Sequence, residues 1–275
     1  MHSLHSLLVG IEGMDKQLAG DYGVDSSFIP VASVVGAGAF AVYGFVVRPA
    51  LSLMLTLAAL LIVQAYVFVR TSRQGKFATW QKIVDELELK GNENVLDAGC
   101  GLGMVLFTMA VQLPKGEAVG VDDWKERDPT GQARQIAEEN AKLLKVSKRV
   151  KFSDASMSHL PFADDSFDVV TSNSVIQAQP DKSLRADIVR ELYRVTKPGG
   201  RLRFTGIHNT NEYTAVLKEE GAVDLIHRRL GFNSWFGNPA YSWRLVSATK
   251  PLSVEDENSG AEVTSEDGDS GERTR

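Results

Sequence analysis

The run ALSLMLTLAALLIVQAYVFV, Ala50 to Val69, carries no charge over 20 positions. As a helix it is about 30 Å long, which matches the hydrocarbon thickness of a bilayer. Its apolar side chains fall on every side, so no polar face remains to lie against water. The preceding run, VASVVGAGAFAVYGFVV from Val31 to Val47, is also uncharged, and Arg48-Pro49 separates the two. Proline disfavours helix at the residue before it. The expectation is a hairpin of two membrane-spanning helices, 31–47 and 50–69, packed through Gly36, Gly38 and Gly44. A buried core helix is the alternative for each run, more so for the shorter, Gly/Ala-rich first one.

Residues 1–30 carry Glu12, Asp15, Asp21 and Asp25 against one lysine, the wrong balance for a cleaved signal peptide. Arg70, Arg73, Lys76 and Lys82 follow the second span, and the positive-inside tendency puts everything after it in the cytosol. A hairpin brings the N-terminus to the same side. The chain thus divides into an N-terminal segment 1–30, the hairpin within 31–70, a folded domain over 76–250 and a tail over 251–275. The residues after Pro251 include eight acidic and two basic ones and almost no large apolar side chain, which reads as a disordered acidic tail. That tail accounts for the net charge of -5. The remainder is near neutral, with no basic excess to attract nucleic acid. The single cysteine, Cys100, excludes an internal disulfide and a cysteine-built zinc site, and no metal site is expected.

From Lys76 onward apolar strands alternate with amphipathic helices. A first helix places Phe77, Trp80, Val84 and Leu87 on one face. Strands are expected at Val95–Ala98, Ala118–Asp122, Val150–Ser153, Phe167–Ser172 and Arg201–Ile207. Helical patterns fill about 131–146, with Ile136, Ala137, Leu143 and Leu144, and about 182–196, with Leu184, Ile188, Leu192 and Val195. This order predicts an α/β domain with a parallel sheet covered on both faces. Ligands bind such sheets at the carboxyl ends of the strands.

The first strand runs into VLDAGCGLG, Val95 to Gly103, with three glycines in five positions. Glycine costs about 0.5–1 kcal/mol relative to alanine inside regular structure, so bare backbone is needed there for a positive φ or for the close approach of another molecule. The turn lies at a strand end before a helix, where amide groups receive ligands. The dinucleotide fingerprint G-x-G-x-x-G fails at its third glycine, because Met104 stands there.

The D-x-G-x-G-x-G pattern of Asp97, Gly99, Gly101 and Gly103 resembles the first motif of Rossmann-like S-adenosyl-L-methionine-dependent methyltransferases, in particular the small-molecule group that includes the ubiquinone- and menaquinone-biosynthesis enzymes. The similarity covers about Trp80 to Lys250. AVGVDDW, FSDASMSHLPFADDSFDVVTSN and KPGGRLRF match successive parts of that domain, while VDLIHRRL and YSWRLVSATKP read as a closing antiparallel strand hairpin. The DDW sequence and the two preceding apolar helices also resemble a membrane-tethered subgroup.

The resemblance implies S-adenosyl-L-methionine as cofactor, held by Asp97, Gly99, Cys100, Gly101, Gly103, Asp122, Asp123, Trp124, Asp154, Ala155 and Asn173. Within that set Asp122 would bind the ribose hydroxyls, while Asp154 and the Ala155 backbone would meet the adenine. Asp97 would orient the loop or meet the methionine end. Trp124 would either stack near the adenine or cover the following helix. Cys100 carries no mark of a nucleophile. No N/D-P-P-Y motif follows the fourth strand, where Thr171-Ser172-Asn173-Ser174 stands, so amino-methylation of DNA bases or glutamine is set aside. His208, after the fifth strand, is the candidate base, with Tyr213 near it in sequence; a solvent-facing turn histidine is the alternative. The expected partners are a membrane and a small-molecule or lipid acceptor such as a quinone, sterol, fatty acyl compound or polyketide. The competing functions are an NAD(P)-dependent oxidoreductase and an inactive membrane-bound scaffold of the same fold.

Overall fold

The computed structural model describes residues 20–23, 26, 28–124, 128 and 130–252. The N-terminal segment up to residue 19 and the acidic tail from residue 253 lie outside the described residues. Helix α1 spans Phe28–Val46 and α2 spans Leu51–Arg70, joined by a 3-10 turn at Arg48–Ala50. Both are long and apolar enough to cross a membrane, by length and composition. Helix α1 begins three residues ahead of the uncharged run, taking in Phe28, Ile29 and Pro30. Proline is well tolerated in a first turn, where its missing N–H has no partner to lose.

Small side chains bring the two helices together. A Cβ on Gly36 would stand 3.2 Å from Leu61, and one on Gly44 would stand 2.8 Å from Met54. Gly38 has nothing within 4 Å of that position, so it does not share the packing role expected for it. Ala37, Ala58 and Ala65 are buried instead. The outward faces leave Phe28 78% and Val46 75% exposed.

Helix α2 passes through a π turn at Thr71–Gly75 directly into α3, Lys76–Asp85, which buries Phe77, Trp80, Ile83 and Val84. The alternating elements then follow as β1 (Asn94–Ala98), α4 (Met104–Ala110), β2 (Glu117–Asp122), α5 (Gln132–Leu143), β3 (Val150–Asp154), β4 (Phe167–Asn173), α6 (Lys182–Arg194), β5 (Thr196–Gly206), α7 (Thr210–Glu219), β6 (Val223–Arg229) and β7 (Arg244–Thr249). The sheet order is β3-β2-β1-β4-β5-β7-β6. The first five strands run parallel, and β7 is antiparallel to both β5 and β6.

Alternation along the strands builds two cores. Val95, Ala118, Val169 and Leu245 join Trp80, Phe107 and Ala141 on one face. Leu96, Val119, Val170 and Val246 join Ile188, Leu192 and Leu217 on the other. Successive strand residues point to opposite faces, so α3, α4 and α5 cover one side and α6 and α7 the other. Strand β5 starts five residues before the expected Arg201, because a register shift between Phe167 and Val169 lets β4 pair again with Thr196.

The 14-residue connection between β6 and β7 is docked on the helix that leaves the hairpin. Arg70 Nη2 donates to Asn233 Oδ1 at 3.0 Å, and its guanidinium lies 4.6 Å from the Phe232 ring centre. Thr71 Oγ1 donates to the Trp235 carbonyl. Phe68 and Phe236 meet edge to face at 5.6 Å.

Candidate functional site

The strand register sets the site. Asp97 pairs with Gly120, Ala98 with Val121, and Asp122 with Asp154, so the tips of β1, β2 and β3 end side by side. The glycine loop leaves the first tip. Its amides at Gly99 and Cys100 both donate to the Val121 carbonyl, at 2.7 and 3.0 Å. The Gly101 amide donates to Asp122 Oδ2 at 2.8 Å, and Trp124 Nε1 donates to the Gly101 carbonyl at 3.2 Å.

The three glycines serve two ends. All have positive φ, +74° at Gly99, +53° at Gly101 and +89° at Gly103, a region costly to a residue with a Cβ. A Cβ on Gly99 would meet Val175, and one on Gly103 would meet the Phe107 ring. Both are packed against protein. Gly101 has nothing within 4 Å, so its bare side faces space that a ligand can use. That opening, beside a carboxylate at the neighbouring strand tip, suits a nucleoside whose sugar hydroxyls need acceptors.

Asp97 is buried beneath the loop. It accepts from the Leu106 amide at 3.1 Å and from Thr171 Oγ1 at 2.9 Å. Burial pushes its carboxyl up to about 7, against these two hydrogen bonds and with the nearby Asp122 adding to the rise. Cys100 is also buried, and desolvation together with Asp97 and Asp122 raises its thiol well above the ordinary range. A thiol held protonated is no nucleophile at neutral pH; its sulfur instead packs against Gly120.

Asp123, Asp154 and Ala155 sit at the same edge, with the Ala155 amide donating to the Asp122 carbonyl at 3.2 Å. Trp124 is buried, with Phe152 at 5.7 Å edge to face and the Arg134 guanidinium 5.5 Å from its ring. It presents no exposed face for an adenine, and its contact with the loop is the bond to Gly101. Asn173 ends β4, where its Oδ1 accepts from Thr205 Oγ1 at 2.7 Å.

His208 is exposed after β5, its ring 6.1 Å from that of Tyr241. Tyr213, close to His208 in sequence, is elsewhere: it is fully buried in the core beneath α7, and burial raises its phenol well above the usual range. It is the fourth residue of α7, on the face that the helix buries with Val216 and Leu217. Among the described residues no cluster of three or more metal-ligating side chains forms.

Sequence reasoning missed Ser174 and Gln177. Ser174 has φ +61° and a buried hydroxyl without a hydrogen-bond partner. Gln177 Oε1 accepts from the amides of Ile207 and His208, at 2.6 and 2.9 Å, which ties the end of β5 to the segment after β4. No local pattern marks either residue.

A family model described as a methyltransferase domain matches residues 89–227, and the chain belongs to this family, the class I S-adenosyl-L-methionine-dependent methyltransferases. S-adenosyl-L-methionine is the cofactor of that class, and the opening at Gly101 with its adjoining carboxylates fits it. An arsenite methyltransferase of Aquipseudomonas alcaligenes is 32% identical over 172 residues, covering 59% of this chain and 46% of that protein. A demethylmenaquinone methyltransferase of Lactiplantibacillus plantarum is 33% identical over 130 residues, 46% of this chain and 51% of that one. The chain therefore spans about half the length of these curated relatives. A solved S-adenosylmethionine-dependent methyltransferase of Methanosarcina mazei is 18% identical with a TM-score of 0.50, covering 62% of this chain and 98% of that one. The [4+2]-cyclase SpnF, 18% identical with a TM-score of 0.52 over 66% of this chain and 84% of its own, shares the fold too, so the fold alone does not name the reaction.

Proposed function

We propose that the protein is an active, membrane-anchored S-adenosyl-L-methionine-dependent methyltransferase that acts on a small lipophilic acceptor, with its domain on the cytosolic side. The observation that carries the activity is the open flank of Gly101 held against Asp122 at 2.8 Å. S-adenosyl-L-methionine held there would supply a sulfonium methyl group for transfer to the acceptor's nucleophilic atom, with S-adenosylhomocysteine as the leaving group.

In this reading Asp122 accepts from the ribose hydroxyls, Asp123, Asp154 and Ala155 bound the adenine side, and Asn173 faces the methionine side. Asp97 positions the loop through the Leu106 amide and Thr171, with Gly99, Cys100 and Gly103 shaping its backbone and Trp124 bracing it. His208 is the candidate to take the acceptor's proton. The protein's main contribution is alignment, which can be worth about 7–11 kcal/mol. The anchor reading is supported by two long apolar helices whose outer faces are exposed and by Arg70, Arg73, Lys76 and Lys82 after the second.

Calorimetry on the full chain in lipid nanodiscs tests the cofactor: S-adenosylhomocysteine is expected to bind and NAD is not. The acceptor class is tested by profiling a deletion strain fed labelled methionine. A missing labelled lipid supports the proposal, and a missing water-soluble product with an unchanged lipid profile overturns the lipophilic acceptor.

A further inference from the structure

A cavity of about 540 Å3 lies where the hairpin meets the carboxyl end of the sheet. Three parts of the chain enclose it. Ile29, Gln64 and Phe68 come from the two apolar helices, Phe236 from the connection before β7, and Asn173, Ser174 and Gln177 from the end of β4 and the turn after it. Its volume is that of a small-molecule site.

The floor is polar and is linked to the glycine loop through the residue that follows it. Val175, the next residue after Ser174, packs against Gly99. Ser174 is held in left-handed backbone, and its buried hydroxyl has no partner. Left-handed backbone and an unsatisfied buried hydroxyl are both costly, and such features gather where a ligand is met. The Asn173 amide, fixed through its oxygen by Thr205, and Gln177 complete the polar end. The opposite walls are aromatic and aliphatic.

The anchor supplies part of the apolar wall, through Ile29 and Phe68. Gln64 lies six residues before Arg70, about 9 Å along the helix at 1.5 Å per residue, so the cavity reaches below the level of the basic residues that follow the span. The docked connection closes around this point: a Cβ added at Gly237 would stand 2.9 Å from the Gln64 side chain. Remote tethering does not require helix side chains inside a pocket next to the cofactor loop.

We propose that this cavity is the methyl-acceptor site, and that the apolar helices form part of its wall and take an amphipathic molecule from the cytosolic leaflet, polar head toward Asn173, Ser174 and Gln177 and apolar body along Ile29, Phe68 and Phe236. This rests on the methyltransferase function above and goes beyond it by making the hairpin a part of the active site.

The test uses the full chain in lipid nanodiscs and a 4-dodecylphenol with a diazirine in its alkyl chain, cross-linked by light and mapped by peptide mass spectrometry. Labels are expected on peptides carrying Phe68 and residues 236–243. Phe68→Trp, which fills the apolar wall, should suppress that labelling. Ser174→Ala should lower it about fivefold, the value of one hydrogen bond, without lowering the melting temperature. Affinity for S-adenosylhomocysteine, read on the same samples, should stay unchanged in both variants and reports that they are folded. Labels confined to the outer faces of the helices at Val34, Val35, Ile62 and Tyr66, or unaltered in both variants, overturn the cavity assignment. Failure of the unsubstituted protein to bind S-adenosylhomocysteine overturns the methyltransferase function instead.

Discussion

The Gly101 amide donates to the Asp122 carboxylate across 2.8 Å, so the tip of β2 holds the middle of the glycine loop. One carboxylate thereby shapes the loop and stands at the position proposed for the ribose. Asp122→Ala removes both contributions. A hydrogen bond to a charged group is worth about 1.5–3 kcal/mol, so affinity for S-adenosylhomocysteine should fall roughly ten- to hundredfold. Asp122→Asn keeps an oxygen for the Gly101 amide and should lose less. Calorimetry reads both, and an Asp122→Ala affinity equal to that of the unsubstituted protein would remove Asp122 from the site.

Gly101 and Gly103 should respond differently to alanine. At Gly103, a Cβ at φ +89° would run into the Phe107 ring, beneath which the first core is packed. Overpacking costs about 1–3 kcal/mol and left-handed backbone about 1–2 more, so Gly103→Ala should lower the melting temperature markedly. At Gly101 only the backbone cost applies, because the surroundings are open. Gly101→Ala should stay folded while losing cofactor affinity. Equal effects of the two substitutions on both measurements would contradict this division.

Asp97 makes stability depend on pH. Burial raises its carboxyl to about 7, above the roughly 3.9 of an exposed aspartate. The folded state then binds more protons than the unfolded one between these values. Stability from this group is full below about pH 4 and is lost as pH rises through 7, by an amount on the order of 1–4 kcal/mol. The protonated carboxyl can donate to Thr171 Oγ1, whose own proton reaches the Leu96 carbonyl at 3.2 Å, while the other oxygen accepts from Leu106. The amide of Asp97→Asn reproduces that pattern without titrating. Cofactor-free protein carrying Asp97→Asn should therefore lose less melting temperature between pH 5 and pH 8. Parallel curves for the two proteins would show that Asp97 does not titrate in this range.

The strands and the glycine loop were legible because each is encoded locally. Val95–Ala98 and Phe167–Ser172 are short stretches built around Val95-Leu96 and Val169-Val170, and β1 and β4 exceed them by one residue each. Helix α7 is spaced helically, with Tyr213, Val216 and Leu217 buried, but it is short and lies between two polar breaks. Nearness in sequence does not bring Tyr213 beside His208, since a helix started at Asn209 turns that ring into the core. The acceptor cavity was not legible at all. It depends on residues 232–243 meeting residues 64–75, a long-range contact with no periodic signature. Ser174 was hidden for a related reason, since a serine in left-handed backbone looks like any other serine in sequence.

That long-range contact gives the last prediction. Gly75 lies in ordinary right-handed helix at φ -61°, where alanine normally stabilises by about 1 kcal/mol. The Asn233 carbonyl, however, occupies the place of a Cβ, with two further Asn233 backbone atoms within 3.3 Å of it. Backbone cannot rotate aside as a side chain can, so Gly75→Ala must push the connection off the helix. It would strain the Arg70–Asn233 and Thr71–Trp235 bonds and the Arg70–Phe232 stacking. The sign of the effect separates the cases: docking predicts a net loss of about 1–3 kcal/mol, whereas helix propensity alone predicts a gain. Limited proteolysis should cut residues 232–243 faster in Gly75→Ala, while affinity for S-adenosylhomocysteine at the far strand tips stays unchanged. A higher melting temperature with unchanged proteolysis would mean that the connection does not rest on the helix.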